Sequence, residues 1–274
     1  MTLDPLISII MSTHNRPNLL KERSIPSILR QTYQNWELLI RGDGADERTE
    51  SVIKSFNDPR IKYKNTPRRL YSNPREQWCW GGAHAVNEAL EEARGTYIAY
   101  LDDDDEFLPH HLATLSKILM SGEYDLVYGR AYFETDKVWI VLGEPFNKTR
   151  LMRRNFISHD AVMYNRARLG HFRHEMKPLD EPADWVMWRR MVTAGARVGF
   201  TQEIVALNYA RTPLRQYDAE FNVRLEQIRT MRGSCMYRLM LSMTRRIDTI
   251  FPEGNKRGRI WQKLAARLAR KSSG

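Results

Sequence analysis

Short apolar runs alternate with longer amphipathic segments through the first 120 residues of the chain. The runs at 6–11, 36–40 and 96–101 and the short segment at 60–64 predict strands, and the continuous run at 6–11 is typical of a strand covered on both faces. The segments between them have apolar residues at helical spacing, which predicts helices over 16–32, 45–56, 81–95 and 108–122. Pro26 lies inside the first of these helices and predicts a kink. This alternation predicts an α/β domain with a mainly parallel sheet.

Polar clusters follow three of the predicted strands. They read "STHNR" after the first, "RGDGAD" after the second and "DDDDE" after the run at 96–101. In a parallel sheet the carboxyl ends of the strands meet at one edge, where α/β proteins bind ligands. A single Asp after a strand is more often part of a solvated loop, but five consecutive acids beside two other polar strand ends favour a binding site.

The acid run has the chemistry of a site for a hard cation. Carboxylate oxygens suit Mg²⁺ or Mn²⁺, which typically also coordinate substrate phosphates. In an extended segment Asp102 and Asp104 point to one side, and Asp103 faces away and is able to bind a sugar hydroxyl. Asp43 suits a ribose or a base N–H. Neither GxGxxG nor GxxxxGK[ST] occurs, so the pattern predicts a metal–nucleotide site without a glycine-rich phosphate loop.

The successive motifs resemble family 2 glycosyltransferases with the GT-A fold. The resemblance covers residues 6 to about 211 and rests on "ISIIMSTHNRPNLLKERSIPSILRQTYQNWELLIRGDGADERT", "GGAHAVNEALEEARGTYIAYLDDDDEFLPHHL", "ISHDAVMYN" and "LDEPADWVMWRRMVTAGARVGFTQEIVALNYAR". It implies a Rossmann-like sheet flanked by helices. It also implies an inverting, metal-assisted transferase that uses Mn²⁺ or Mg²⁺ and moves a sugar from a nucleotide-diphosphate donor, UDP- or dTDP-linked, to a hydroxyl of a cell-surface or lipid-linked glycan.

The resemblance also implies residue roles on the donor side. Ser12 and His14 match the positions that contact the nucleobase, and Asp43 matches the Asp that reads the base or the ribose. Arg75 lies near a family Arg that contacts the diphosphate or the base. The run Asp102–Asp104 matches the DxD motif, with Asp103 toward the ribose and Asp104 on the metal.

On the acceptor side, the resemblance makes Asp184 the catalytic base, with Asp180 and Glu181 as alternatives. His159, Asp102 and Glu181 belong to the side that faces the donor sugar and the acceptor. A helix-starting acid is the structural alternative for Asp184, because Asp is favourable in the first turn of any helix. The QxxRW motif of processive synthases is absent, which favours addition of one or a few sugars.

The charge distribution divides the chain in two. Residues 224–274 contain 13 Lys and Arg against 3 Asp and Glu, which accounts for the whole net charge of +10. We therefore predict a neutral catalytic domain over 1–215 and a basic helical extension over 216–274. Ile260, Leu264 and Leu268 are spaced as in an amphipathic helix, which predicts contact with an anionic membrane surface. Helices packed on the catalytic domain are the alternative, and the neutral body argues against nucleic acid as a partner.

The remaining features concern location and competing functions. Two distant cysteines indicate a reducing compartment, and no apolar run has the length of a transmembrane helix or a signal segment. These features predict a cytoplasmic protein peripheral to the inner face of the membrane. The alternatives to a transferase are a degenerate, non-catalytic module that binds an acidic polymer and a metal-dependent nucleotidyltransferase.

Overall fold

The nine strands of the described chain form one mixed sheet. The computed structural model describes residues 4–71, 76, 79–134, 139–175 and 181–209. The strands are β1 (Ile7–Thr13), β2 (Trp36–Asp43), β3 (Ile61–Thr66), β4 (Tyr97–Tyr100), β5 (Glu106–Phe107), β6 (Leu126–Glu134), β7 (Trp139–Leu142), β8 (Val162–Asn165) and β9 (Val198–Asn208). All four strands predicted from the apolar runs are present.

The strand order is β3-β2-β1-β4-β8-β6-β9-β5, with β7 paired to the outer part of β6. β3, β2, β1 and β4 are parallel, as the alternation of strands and helices predicts. β8 is antiparallel to both β4 and β6. Its direction brings the start of β8 to the same edge as the end of β4, which is decisive for the site described below.

The helices of the described residues are α1 (Pro17–Leu19), α2 (Ile25–Leu29), α3 (Glu47–Ser55), α4 (Ala83–Glu92), α5 (His111–Leu119), α6 (Lys148–Leu151), α7 (Arg166–Leu169) and α8 (Ala183–Thr193). A π-helical segment, Leu20–Ser24, joins α1 to α2 just before Pro26. Proline has no N–H to donate to the preceding turn, so the regular α-helical pattern is interrupted there. A π-helical segment therefore lies next to the position where Pro26 predicts a kink.

Helices cover the sheet on both faces. Along β1, Ile7, Ile9 and Met11 belong to a core cluster with residues of α2 and α5, whereas Ile10 belongs to a second cluster with residues of α4 and α8. Alternate residues of one strand are therefore buried on opposite faces, which explains why the sequence of β1 is apolar throughout.

A buried ionic cluster ties the first three strands together. Glu37, 3% exposed, accepts hydrogen bonds from Ser8 Oγ at 2.8 Å, from Lys62 Nζ at 2.9 Å and from the Arg94 backbone N–H at 2.9 Å. Burial raises the pKa of Glu37, but these hydrogen bonds outweigh it and lower the pKa to about 2. Because Ser8 also accepts from the Gly95 N–H at 2.8 Å, the cluster fixes the chain just before β4.

Two sequence predictions lie outside the described residues. The boundary at 215 and the basic extension over 216–274 fall beyond Tyr209, where the description ends. Within the described part of the chain, no helix combines the length and apolarity needed to cross a membrane.

Candidate active site

The polar strand ends meet at one edge of the sheet, where parallel pairing requires them to be. Ser12 is paired with Arg41 next to the end of β2, and β2 itself ends at Asp43. β4 ends at Tyr100, so the acid run leaves the sheet directly beside these residues. The antiparallel β8 adds His159 to the same edge, since its first residue lies opposite the end of β4.

Asp43 forms the centre of a buried polar cluster. The Arg69 backbone N–H donates to Asp43 Oδ1 at 3.0 Å, and His84 Nε2 lies 3.2 Å from the same oxygen. His14 Nδ1 donates to the Asp43 carbonyl oxygen at 2.8 Å. Gly82 has φ +77°, and a Cβ there would lie 2.5 Å from Ser12 Oγ, so glycine allows the start of α4 to pack against β1. Ser12, His14 and Asp43, all expected at the nucleobase, are therefore neighbours.

The acid run forms a turn and not the extended segment on which the sequence argument relied. The Asp105 N–H donates to the Asp102 carbonyl oxygen at 3.2 Å. Burial nevertheless alternates along the run. Asp103 and Asp105 are buried, whereas the Asp102 and Asp104 side chains are 48% and 25% exposed. Two carboxylates therefore remain accessible, and the two between and after them are anchored in the protein.

Asp103 is held through both of its carboxylate oxygens. Thr13 Oγ1 donates to Oδ2 at 2.6 Å, and Arg16 Nη1 donates to Oδ1 at 2.7 Å. The same Arg16 nitrogen lies 2.6 Å from Asp104 Oδ2. Burial raises the pKa of Asp103 to about 6, although the adjacent Arg16 charge opposes this rise. Arg16 thus neutralises part of a densely acidic turn.

His159 orients Asp102. Its Nδ1 lies 3.0 Å from Asp102 Oδ1, and its ring stacks on Tyr100 with the ring centroids 4.5 Å apart. Burial lowers the pKa of His159, but the charge of Asp102 and the hydrogen bond to it outweigh burial and raise the pKa above its ordinary value. In the described residues, His159 Nε2 is buried without a hydrogen-bond partner.

Two buried carboxyl groups, those of Asp160 and Asp105, hold the backbone of the turn. Asp160 Oδ1 accepts from the Asp102 backbone N–H at 2.6 Å, and Asp105 accepts from Asn208 Nδ2 at 2.7 Å. Asn208 Nδ2 also donates to Asp160 Oδ2. Burial, followed by the charge of Asp104, raises the pKa of Asp105 to about 8, and the pKa of Asp160 is raised well above its ordinary value. Through these hydrogen bonds the pair fixes the backbone that presents Asp102 to Asp104.

Asp184 lies in the first turn of α8, as the motif "ADWVMWRR" predicts. Asn155 Nδ2 donates to Asp184 Oδ2 at 3.0 Å, and Asn155 Oδ1 accepts from the Ile157 N–H at 3.1 Å, which fixes the orientation of the amide. Burial raises the pKa of Asp184, while the charge of His159 and the Trp185 backbone N–H oppose the rise. A carboxylate with a raised pKa is a better proton acceptor near neutral pH.

The family model described as "Glycosyl transferase family 2" matches residues 8–174. The chain belongs to this family. The match covers more than half of the sequence and includes Asp43, the acid run and His159.

Several curated relatives of this family 2 chain are named glycosyltransferases. It is 36% identical over 126 residues, 46% of each protein, to "UDP-Glc:alpha-D-GlcNAc-diphosphoundecaprenol beta-1,3-glucosyltransferase WfgD" of Escherichia coli. It is 34% identical over 134 residues to "GalNAc(5)-diNAcBac-PP-undecaprenol beta-1,3-glucosyltransferase" of Campylobacter jejuni, covering 48% of this chain and 40% of that protein. The chain spans about half the length of the curated relatives it matches.

Solved structures confirm the predicted GT-A fold. TarS of S. aureus in complex with UDP superposes with a TM-score of 0.59 at 14% identity, covering 74% of this chain and 60% of that chain. The mannosyltransferase PcManGT from Pyrobaculum calidifontis, in complex with GDP-Man and Mn²⁺, superposes with a TM-score of 0.55 at 15% identity, covering 97% and 87%. At these identities the likeness establishes the fold alone.

The accessible carboxylates of this family 2 chain fit a hard cation. Asp102 and Asp104 offer oxygen ligands at the exposed side of the turn, as Mn²⁺ and Mg²⁺ require. Ligand atoms of Asp102, His159 and Asp160 also lie within 4.8 Å of one another. Asp102 belongs to both groups, and both have internal contacts, because Asp160 accepts the Asp102 N–H and Arg16 pairs with Asp104. Asp160 is buried, whereas Asp104 is partly exposed, so Asp104 together with Asp102 is the better candidate.

One expected residue and the two alternative bases remain to be placed. Arg75 and Asp180 lie outside the described residues. Glu181 contacts Arg189 through both carboxylate oxygens, with Arg189 Nη1 donating to Oε1 at 3.1 Å and Nη2 contacting Oε2. A carboxylate held in this way is a poor proton acceptor, so Asp184 is the stronger candidate for the base.

Several residues of the site were missed by reasoning from the sequence. They are Thr13, Arg16, His84, Asn155, Asp160 and Asn208. Arg16 and Asp160 lie inside motifs that the sequence made conspicuous, "STHNR" and "ISHDAVM", and a cation beside an acid run is a signal that could have been used.

Proposed function

We propose that this chain is an inverting, metal-assisted glycosyltransferase that moves a sugar from a UDP- or dTDP-linked donor to a hydroxyl of a lipid-linked glycan. The observation that carries the proposal is the convergence of three kinds of acid at one sheet edge. Asp43 lies in a polar cluster with His14 and His84, and Asp102 and Asp104 are accessible after the end of β4. Asp184, held by Asn155, is close enough to His159 and Asp102 for their charges to affect its pKa.

Each group has a distinct task in the reaction. Asp43 and its neighbours bind the nucleobase or the ribose, and Asp103, fixed by Thr13, borders the ribose. Asp102 and Asp104 would hold Mn²⁺ or Mg²⁺, which when bound stabilises the negative charge on the leaving diphosphate. We expect a donor bound in this way to present its anomeric carbon to Asp184.

Sugar transfer then combines a nucleophilic substitution at the anomeric carbon with a proton transfer from the acceptor hydroxyl. The acceptor oxygen forms a bond to the anomeric carbon while the bond from that carbon to the diphosphate oxygen breaks, and the diphosphate leaves with the electron pair. The acceptor proton passes to the Asp184 carboxylate, as in general base catalysis. Attack from the face opposite the leaving group inverts the anomeric configuration.

The names of the relatives support the choice of substrates. WfgD is named for UDP-Glc and a diphosphoundecaprenol-linked GlcNAc acceptor, and the Campylobacter protein is named for another undecaprenol-linked acceptor. An acceptor anchored in a membrane would require peripheral contact with its cytoplasmic face. The basic residues after position 224 have the charge for such contact with anionic lipid.

A transfer assay tests the proposal. The full chain is incubated with a synthetic polyprenyl-diphosphate GlcNAc acceptor and a panel of UDP-, dTDP- and GDP-sugars, with Mn²⁺, with Mg²⁺ or with EDTA. We expect mass spectrometry to detect addition of one sugar from a UDP- or dTDP-linked donor, only with metal and not with Asp184→Asn. Absence of product with every donor, or release of inorganic pyrophosphate by nucleotidyl transfer, would contradict the proposal.

A further inference from the structure

Arg16 makes the same nitrogen available to two carboxylates of the acid run. Its Nη1 lies 2.7 Å from Asp103 Oδ1 and 2.6 Å from Asp104 Oδ2, and its side chain is 43% exposed. A second arginine, Arg23, donates from Nη1 to the Asp104 backbone carbonyl oxygen at 2.7 Å. Arg16 is thus the arginine placed on the oxygen that a cation at Asp104 would need.

The Arg16 guanidinium and a divalent cation at this site would compete for Asp104 Oδ2. A divalent cation bound there would replace the guanidinium as the partner of this oxygen, and the two charges would repel each other at such short range. A nucleoside diphosphate removes the conflict, because its phosphate oxygens supply new acceptors for the displaced guanidinium. Arg has five N–H donors in a planar fork, so it is able to keep one contact while gaining another.

The turn has anchors that do not depend on Arg16. Thr13 Oγ1 holds Asp103 Oδ2 at 2.6 Å, Arg23 holds the Asp104 carbonyl, and the Asp160 carboxylate holds the Asp102 N–H at 2.6 Å. These contacts remain in place when Arg16 leaves Asp104. Within the described residues, Arg16 pairs with the accessible Asp104 carboxylate and also donates to Asp103 Oδ1, which Thr13 does not contact.

We propose that Arg16 is an exchangeable counterion, which pairs with Asp104 until a divalent cation takes that carboxylate and then binds the diphosphate of the donor while keeping its contact with Asp103. This proposal rests on the proposed function, since it assumes a metal–nucleotide complex at this edge of the sheet. It assigns to Arg16 two opposite effects: it weakens binding of the cation alone and strengthens binding of the cation together with the nucleotide.

The test measures these two affinities separately in the full-length protein. Arg16→Gln removes the positive charge. Arg16→Lys keeps the charge but lacks the planar guanidinium with its several N–H donors. Arg30→Gln is the matched control, because Arg30 is a half-exposed arginine whose Nη2 lies 3.7 Å from Glu106 Oε2, at the far end of the same acid run. Binding of Mn²⁺ alone is followed by electron paramagnetic resonance, and binding of UDP at saturating Mn²⁺ by calorimetry.

We expect Arg16→Gln to bind Mn²⁺ alone about threefold more tightly than wild type, because a partly exposed ion pair no longer competes. We expect it to bind UDP with Mn²⁺ at least about tenfold more weakly, because charge-assisted hydrogen bonds to the diphosphate are lost. Arg16→Lys should bind Mn²⁺ nearly as wild type does but bind UDP more weakly. Arg30→Gln should change both affinities by less than about twofold, as expected for a more distant charge.

The outcomes separate this proposal from the function on which it rests. If wild type binds Mn²⁺–UDP but Arg16→Gln lowers both affinities by the same factor, or matches Arg30→Gln in both, the exchange role is overturned and the proposed function stands. If wild type binds neither UDP nor dTDP in the presence of Mn²⁺, the metal–nucleotide site itself is refuted, and the role of Arg16 is refuted with it.

Discussion

Replacing Asp184 by Asn separates a catalytic role from a structural one. A catalytic role predicts a large loss of turnover, whereas a purely structural role at the start of α8 predicts that turnover persists. Asn has nearly the same shape as Asp, and its side-chain oxygen can still accept from Asn155 Nδ2, which lies 3.0 Å from Asp184 Oδ2. It cannot take a proton from an acceptor hydroxyl. Loss of a general base typically lowers the rate about 10²- to 10⁴-fold.

The effect of this substitution on stability should be small. Removing the negative charge from the first turn of α8 costs about 0.3–1 kcal/mol of interaction with the helix dipole. The raised pKa of Asp184, caused first by burial, means that folding disfavours the charged form, so this carboxyl group costs stability as pH rises through its folded pKa. Asn removes that cost. The two effects oppose each other, and we expect the melting temperature at pH 7 to stay within about 4 °C of wild type.

The assay compares turnover, UDP affinity and melting temperature for wild type, Asp184→Asn and Glu181→Gln. We expect Asp184→Asn to lose at least about 100-fold in turnover with UDP affinity within about twofold of wild type. Glu181→Gln should keep most of the turnover, because Glu181 is engaged by Arg189. Turnover of Asp184→Asn within about tenfold of wild type would refute the reasoning. A loss confined to Glu181→Gln would identify that residue as the base.

Three further predictions concern the surroundings of the site. Asn155→Ala should lower kcat about tenfold without changing UDP affinity, because it removes a hydrogen bond to the Asp184 carboxylate. Asn155→Gln should recover part of this rate. A fall in UDP affinity in place of the fall in kcat would contradict a positioning role. Glu37→Gln should lower the free energy of unfolding, measured by urea denaturation at pH 7, by about 2 kcal/mol. The difference from wild type should shrink as pH falls from about 4.5 toward 2, because the pKa of Glu37 in the folded state is lowered to about 2. A difference that does not depend on pH would contradict this prediction. Removal of residues 251–274 should weaken binding to anionic vesicles and leave UDP affinity intact, with the wild-type binding itself lost at high salt; salt-independent wild-type binding would contradict an electrostatic attachment.

The parts of the fold that follow local pattern were predictable from sequence. Apolar runs identified β1, β2 and β4, the short segment 60–64 identified β3, and the alternation with helices predicted that these strands are parallel. β8 was not placed by this reasoning, because four residues carry little periodicity and its antiparallel direction depends on pairing with β4 and β6. That direction brings His159 and Asp160 to Asp102.

The same limit applies to the site. Asp43, the acid run and Asp184 are conspicuous in the sequence because acids follow strands or start a helix. Arg16 lies in a conspicuous motif, but its contact with the acid run and the contact of Asn155 with Asp184 were not predictable, because they join residues 87 and 29 positions apart. The sequence also suggested an extended acid run, whereas a turn forms, because the Asp105 N–H bonds to the Asp102 carbonyl and buried partners hold Asp103 and Asp105.

The affinity for a nucleoside diphosphate with and without metal tests the account most directly, since it depends on neither the donor sugar nor the acceptor. UDP is titrated into wild type and into Asp104→Asn, each with Mn²⁺ and with EDTA. The account predicts that Mn²⁺ strengthens UDP binding by wild type at least about tenfold, since the cation links Asp104 to the diphosphate, and that Asp104→Asn loses most of this gain. Equal affinity of wild type for UDP with Mn²⁺ and with EDTA would contradict it.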